Sequence, residues 1–595
     1  MHSIKISSIL LCIFIFLKSK VQGQEEYKRS MQDLNVNFYD VCAQAEAYFQ
    51  KIDINKKGSG WKNFQRWKYH FEPKYYPSGN RKNINYLLPN DKKQKMQDAK
   101  TKRTSISDEV WVDLGPHRID SITHNYNAGL GRIECFEIDK SNTNIMYIGS
   151  RSGGFWKTSD GGASWKNTTD RLETAGVYTM DMNPNNYNEI LISSNQSWTN
   201  ISNGIFRSTD AGETWQPTIM NPENGFGGLG SQLGVKIIAY HPLVKDLVFI
   251  GTTEGLFRST DNLKSFDVII QDARVSEIAF HPTNKDLIYV YDSNSNNPNA
   301  IEISKDMGIS FTKSANIIDN NGFPGSIAVS KLNPTFIYYT GREYLYVSKD
   351  YGANFQKLGK LSSNVFADVA ISDINSQIII GGYVNAERST NGGLDFTEIT
   401  DWNNKNPDST YIHADLVSIQ CIGGVFYATT DGYLAKSLDN GSSWTRLNEG
   451  TCIREFYKIG NSQSNENVTI GGSQDSGSSI RSEDTWIEFD GADGTNAIVH
   501  PINSNYFMSS YQFGSRSRTL DGGLTKDFCF NPETDYMSAG WTAPLLIDPD
   551  DQMMVYHAGT NLYKNKNWGE AGSWEKVGSP NMGAIKNAAF GNINA

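Results

Sequence analysis

The chain holds six cysteines in 595 residues and no Cys-x-x-Cys spacing, so the usual signature of a structural zinc site is missing. Cys12 lies in an apolar run. The other five, Cys42, Cys135, Cys421, Cys452 and Cys529, are far apart and odd in number. One or two disulfides, with Cys421 and Cys452 the nearest pair, and buried free thiols are both open readings, since a large core needs no covalent staple. Long hydrophobic runs are also scarce. The run from Ile6 to Leu17 follows Lys5, is too short to cross a bilayer, and precedes a cleavage-like Val21-Gln22-Gly23. Residues 1–23 therefore read as an export signal. No small residues stand ahead of Cys12 as lipid attachment would need, so the mature chain is expected to be soluble and secreted or at the cell surface, without a transmembrane segment. Gly-x-Ser-x-Gly, His-Glu-x-x-His and Walker loops are missing, which removes the sequence signatures of three large enzyme classes. Basic charge is missing where it would matter for nucleic acid. Residues 104–595 carry 35 Lys/Arg against 56 Asp/Glu, a net of −21. Phosphate neutralisation needs Lys/Arg stripes, so nucleic acid is not the expected ligand. The acidity serves solubility outside the cell or cation binding. No metal site or cofactor is read from the sequence; calcium is the one ion left open.

Residues 24–104 form a basic segment and linker. Up to residue 103 they hold 17 Lys/Arg and 9 Asp/Glu. Met31, Leu34, Phe38, Val41, Cys42, Ala45, Tyr48, Phe49 and Ile52 recur at three- and four-residue steps, which predicts one helix over about Arg29 to Ile52. The alternating aromatic and basic residues from Trp61 to Pro73 could stack on bases or sugars, or form a short helix whose rings pack on the following domain. Residues 90–104 read as a solvated linker.

From residue 105 the chain is spaced by an eight-residue pattern: hydroxyl, any, Asp, any, Gly, any, Ser/Thr, aromatic. It is clearest at Thr158-Ser159-Asp160-Gly161-Gly162-Ala163-Ser164-Trp165. The third positions are Asp160, Asp210, Asp261, Asp306, Asp350, Asn391, Asp439 and Asp521, and the first seven are 50, 51, 45, 44, 41 and 48 residues apart. Between Asp439 and Asp521 there is room for a further unit, with Asp484 near the place of its box Asp. A degraded tenth unit ends at Ala571-Gly572-Ser573-Trp574. Short β-branched and aromatic runs fill each period, about four strands per unit, as blades of a propeller require. The expectation is an all-β chain of about ten blades. Either they form one ten-bladed ring, or seven close a ring and the rest begin a second.

The box itself reads as a turn. Its carboxylate and first hydroxyl accept backbone N–H groups, its fifth-position Gly allows positive φ, and its aromatic packs between blades. Asn391 fits, because an amide oxygen still accepts. Val110 to Leu114 resembles the outer strand after each box and is expected to complete the last blade. Ala584 to Phe590 resembles the opening strand of an eleventh unit, which suggests truncation.

The boxes resemble the Asp-box (BNR) repeats of sialidases, sortilin-type receptors and two-propeller xyloglucanases. Large exported bacterial proteins with sortilin-like repeats, often sent out by the type IX pathway, are more similar still. They share Gly58-Ser59-Gly60-Trp61-Lys62, Phe71-Glu72-Pro73, Gly131-Arg132-Ile133, Tyr411 to Asp415, Asp431-Gly432, Phe456-Tyr457, Gly471 to Gly477 and Gly491 to Gly494. The resemblance implies a propeller and, for a full-length chain, outer-membrane export machinery as a partner. A sialidase would show Pro after Arg132-Ile133, where Glu134 stands. The xyloglucanase pattern places a carboxylate before paired glycines, where this chain has Ser152 before Gly153-Gly154.

Candidate chemistry therefore lies off the box rhythm, in Asp415, Asp475 and Asp493 as acid/base groups, and in Arg132 and His413 as ligand-binding groups. His241, His281 and His500, each before Pro, read as turn residues. The expected function is a secreted or cell-surface binding or adhesion module for carbohydrate or protein; the alternative is a glycoside hydrolase of the two-propeller type acting on a polysaccharide through paired carboxylates.

Overall fold

The computed structural model describes residues 26–56, 59–82, 112–123, 129–170, 172, 176–195, 201–228, 233–293, 300–314, 325–341, 343–362, 368–403, 409–529, 539–578 and 588. The expected export signal, the expected 90–104 linker and nearly all of Ala584 to Phe590 lie outside them. Two compact units span residues 1–111 and 112–595.

In the first unit the expected single helix is broken. Residues 26–32 are helical, the chain leaves the helix over 33–37, and a second helix runs Phe38–Phe49. Arg81 supplies the reason. Its guanidinium donates to the carbonyls of Ser30 (2.7 Å), Met31 (2.5 Å) and Asp33 (2.9 Å), which satisfies carbonyls that a further helical turn would have used. Asn37 then caps the second helix by accepting the Tyr39 N–H at 2.9 Å. The helix Trp61–Tyr75 buries Phe64, Trp67, Phe71 and Tyr75. Trp67 stacks on Phe38 with centroids 5.0 Å apart, and Phe64 meets Phe49 at 5.7 Å. The aromatic face is thus used within its own unit, and those four rings are closed to bases or sugars.

The second unit is a series of ten antiparallel sheets among the described residues, nine of four strands and one of five. The first pairs Cys135–Ile138, Met146–Ser150, Gly154–Thr158 and Lys166–Asn167 in sequence order. The others follow over 179–217, 235–271, 275–313, 327–360, 368–398, 416–446, 456–490, 494–529 and 545–576.

Each box is the hairpin between the third and fourth strands. Asp160 accepts the Thr158 hydroxyl (2.7 Å), the Ser164 N–H (2.9 Å) and the Ser164 hydroxyl (2.5 Å), and Thr158 Oγ1 accepts the Gly162 N–H at 3.1 Å. The same set recurs at Asp210, Asp261, Asp306, Asp439 and Asp521. At Asp350 an Asn354 amide replaces the second hydroxyl. Asn391 reverses the polarity, with its Nδ2 donating to Asp395 at 3.1 Å. Asp484 is not a box residue. Ser482 pairs directly with Thr485, leaving Glu483 and Asp484 as a two-residue turn with Asp484 exposed. In the tenth sheet Asn565 takes the hydroxyl's place and accepts the N–H groups of Asn567 and Gly569.

Box aromatics sit in cores shared by neighbouring sheets, as expected. Trp215 packs with Tyr147 and Phe155 of the preceding sheet. Similar shared cores join every successive pair from the first to the seventh sheet. The seventh then meets the first, through Tyr427, Leu434 and Leu447 against Phe136, Ile138 and Ile148. Seven sheets therefore close on themselves, while the eighth to tenth share cores as a separate series. Among the described residues closure borrows no strand. Residues 112–114 of the expected outer strand are not in strand, and Val112 is exposed. Instead Ser121–Ile122 adds in parallel to Thr485–Asp490 of the eighth sheet. Trp486 fixes this segment by donating its indole N–H to Leu114 (2.9 Å) and its backbone N–H to Asp120 (2.8 Å).

Cys42, Cys135, Cys421, Cys452 and Cys529 are free thiols.

Candidate active site

Strand direction sorts the loops into two rims. Wherever a box occurs it closes the third strand, so it shares a rim with the turn between strands one and two. His241, His281 and His500 lie in that turn and accept nearby backbone N–H groups through Nδ1. The entry to the inner strand and the hairpin between strands two and three fall on the opposite, upper rim. Every off-rhythm candidate maps there. Arg132 leads into Cys135–Ile138, His413 and Asp415 into Leu416–Ile422, and Asp493 into Gly494–Val499. Asp475 occupies the hairpin after Val468–Ser473.

The closing seam between the seventh and first sheets brings these loops together. Leu130 donates its N–H to the Gly432 carbonyl at 2.8 Å and Ile133 to Thr430 at 3.2 Å. A Cβ at Gly432 would strike the His413 ring, and one at Gly129 would strike the Gly432 backbone, so glycine is required where the strands approach. Arg132 then donates from Nη1 to Asp431 and from Nε to Glu134 at 2.7 Å. Arg151 lies 3.5 Å from Glu134 and 3.7 Å from Glu455. Glu455 also accepts the Ser152 hydroxyl. In the next loops, Asp475 donates its N–H to Asp493 Oδ1 at 3.2 Å and accepts from Gln474 Nε2 at 3.0 Å, while Tyr457 donates to Gln474 at 2.9 Å. Asp415 and Asp475 have φ of 63° and 52°, left-handed backbone that Asp tolerates better than most residues and that collects at functional loops.

The charges interact. Burial first, and then the neighbouring Asp475 and Asp415, push the Asp431 carboxyl up to about 8, against the opposing pull of Arg132. That pull is limited because Arg132 divides its donors between Asp431 and Glu134. Glu134 goes the other way: Arg132 and Arg151 hold it below its ordinary value despite burial. The Tyr383 hydroxyl is raised to about 12 by burial, with Asp415 and Asp431 adding to it. Burial lowers His413, so its imidazole is neutral at physiological pH, and Nδ1 sits 3.0 Å from the Ala414 carbonyl. Among the described residues no group of three or more His, Cys, Asp or Glu is arranged to hold a metal ion.

Asp415, Asp475, Arg132 and His413 thus meet around one neighbourhood, with Asp493 behind Asp475. Sequence reasoning missed Asp431 as a functional candidate, along with Glu134, Arg151 and Glu455. The available signal for Asp431 was positional, an acid in a strand two–three hairpin, on the rim that carries no boxes.

The sheets, their order and their shared cores can now be set beside known proteins. The fold is a β-propeller. No family model matches the chain. A xyloglucanase of Acetivibrio thermocellus is 22% identical over 367 residues, covering 56% of this chain and 40% of that protein. The chain thus spans well under half of that relative's length. The solved GH74 enzyme of Niastella koreensis superposes with a TM-score of 0.56 at 16% identity, over 77% of this chain and 74% of that one. The GH74 xyloglucanase of Xanthomonas campestris gives 0.56 at 13%, over 77% and 75%. At such identities the structural likeness speaks for the fold alone.

Proposed function

We propose that this chain is an exported glycoside hydrolase that cleaves a polysaccharide at the upper-rim cluster by acid/base catalysis. The observation that carries the reading is the buried carboxyl of Asp431, held by Arg132 on the upper rim, with Asp475 and Asp415 near enough that burial and their charges raise it against the pull of Arg132. Glycosidic hydrolysis needs a carboxyl that keeps its proton at working pH and a second that is charged. Asp431 gives its proton to the glycosidic oxygen as the bond from C1 breaks. Asp475 takes a proton from the water whose oxygen bonds to C1. Arg132, already donating to Asp431, stabilises the carboxylate left behind. Glu455 supports the reading further, since it puts a carboxyl against Ser152, where the xyloglucanase resemblance calls for one. The xyloglucanases among the relatives favour hydrolysis, the alternative in the sequence reading, over the binding module that the sequence reading put first.

The test is release of reducing ends from a panel of neutral and acidic polysaccharides between pH 5 and 9. Asp431→Asn and Asp475→Asn should each lower the rate by about 100-fold or more, as loss of a general acid or base does. Polysaccharide binding without any release of reducing ends across that range would sink the hydrolase and leave the binding module.

A further inference from the structure

Behind the Asp475 hairpin a short chain of hydrogen bonds runs back into the eighth sheet. Gln474 is 6% exposed, and the opening of the inner strand Phe456–Asn461 grips both its backbone and its side chain. Its N–H donates to the Glu455 carbonyl at 3.0 Å, and its Oε1 accepts the Tyr457 hydroxyl at 2.9 Å. The other end of the amide, Nε2, donates to Asp475 Oδ2 at 3.0 Å. Tyr457 is set in turn against Trp541, whose ring lies 6.4 Å away at 68°, in the segment leading to Leu545–Ile547 of the tenth sheet. Trp541 is buried and meets Phe513 edge-on at 5.3 Å.

An amide has one donating end and one accepting end, and an ionised carboxylate only accepts. Asp475 therefore takes Nε2, which leaves Oε1 to the Tyr457 hydroxyl. Protonation of Asp475 would turn a charge-assisted bond into a neutral one of about half the strength, so the chain favours the ionised form. The charges that face Asp475 are divided. Asp493, whose Oδ1 accepts the Asp475 N–H at 3.2 Å, opposes ionisation from the ninth sheet, and Asp431, with Asp415 beside it, does so from the seventh. Arg132 favours it from the first sheet. His413, which is neutral, and the Tyr383 hydroxyl complete the surroundings. Among acids on two sides, a donor that cannot turn away decides the balance. Without the Tyr457 hydroxyl the Gln474 amide is free to rotate by half a turn and set Oε1 against the carboxylate. We propose that Tyr457 is a positioning residue for the hydrolysis, acting through Gln474 to keep the Asp475 carboxylate ionised and to fix its orientation. The catalytic use of that carboxylate rests on the hydrolase reading above; the hold on its ionised form does not.

Carboxyl titration of the full chain tests this. With 13Cγ-labelled aspartate, the Asp475 signal is assigned by its loss in Asp475→Asn and followed by NMR between about pH 3 and pH 9. Tyr457→Phe keeps the ring against Trp541 and removes the hydroxyl. The midpoint should move up by about one pH unit, the tenfold that one hydrogen bond of ordinary strength carries. Gln474→Met, which fills similar space without a donor, should move it at least as far. Tyr457→Phe added to Gln474→Met should then change nothing more, because Tyr457 reaches Asp475 through the amide. In turnover of a polysaccharide, Tyr457→Phe should lower kcat about 10-fold on the acid limb, leave KM unchanged and approach wild type near pH 7. A midpoint unmoved by Tyr457→Phe, effects that add in the double variant, or turnover whose acid limb does not follow the midpoint would overturn the proposal. A moved midpoint in a chain that releases no reducing ends leaves the hold on Asp475 standing and removes only the hydrolase.

Discussion

Asp431→Asn tests the electrostatics of the cluster without requiring any substrate. In the folded protein the Asp431 carboxyl is raised to about 8 from an ordinary 3.8. A carboxyl raised on folding favours the folded state fully below its unfolded pKa, and that contribution is lost as pH climbs through the folded value. The window is therefore pH 4 to 8. At about 1.4 kcal/mol per pKa unit, the whole shift corresponds to at most about 6 kcal/mol, and relaxation of the loops leaves a few kcal/mol to be measured. Asn keeps an oxygen that can accept from Arg132, whose other donors remain on Glu134, and it cannot ionise. Denaturant midpoints of wild type and variant at unit steps from pH 4 to pH 9 are the assay. The two proteins should have similar midpoints at pH 4 and separate progressively, with the variant the more stable at pH 8. Parallel curves, or a variant less stable at pH 8, would mean that Arg132 keeps Asp431 ionised throughout and that the proton-holding acid must be sought elsewhere.

Two further perturbations test the architecture. Trp215→Ala removes a buried ring set edge-on to Phe155 at 4.8 Å, with an indole N–H donated to Thr168 at 3.1 Å. A loss of about 3–5 kcal/mol is expected in denaturant unfolding, and a near-neutral effect would contradict the role given to box aromatics. Asn391→Asp would set a carboxylate against Asp395, whose side chain now accepts from the Asn391 amide. It should destabilise by about 1 kcal/mol, and Asn391→Asp with Asp395→Ser should recover the loss by restoring the hydroxyl that the other boxes use; a stabilising single variant would refute the polarity assigned to this turn.

The box rhythm was legible because it is a local device. A hydroxyl, a carboxylate and a residue at positive φ close a turn wherever they occur, so eight residues suffice to recognise each copy. The blade count followed from the spacing. Ring closure did not, because it depends on contacts between Phe136 and Tyr427, 291 positions apart, which no periodicity encodes. The broken N-terminal helix was hidden for a similar reason. The 3.6-residue pattern continues through Asp33 to Asn37, while the break is enforced from Arg81. Candidate site residues were found by subtraction. Asp415, Asp475 and Asp493 have no turn to explain them, and two of them hold left-handed or hairpin backbone at the seam. Asp431 escaped because Thr430-Asp431-Gly432 looks like one more turn.

Strand direction explains why subtraction worked at all. A four-stranded meander has two ends, and the box claims the one between strands three and four. Turn chemistry there is kept in most blades, since Trp215, Phe396 and Trp444 each also enter the core shared with the preceding sheet. The opposite end carries no such requirement, so its loops are free to differ from blade to blade. The closing seam then adds a constraint that the other blade junctions lack: it sets the first inner strand beside the seventh hairpin and next to the eighth sheet. Arg454 shows the coupling. Its fully buried guanidinium holds the Gly129 carbonyl at 2.7 Å and Glu488 at 3.1 Å, tying the loop that carries Arg132 to the sheet that carries Asp475. Residues from three sheets can thus hold a fixed mutual geometry at that junction, which is what the proposed acid/base pair requires.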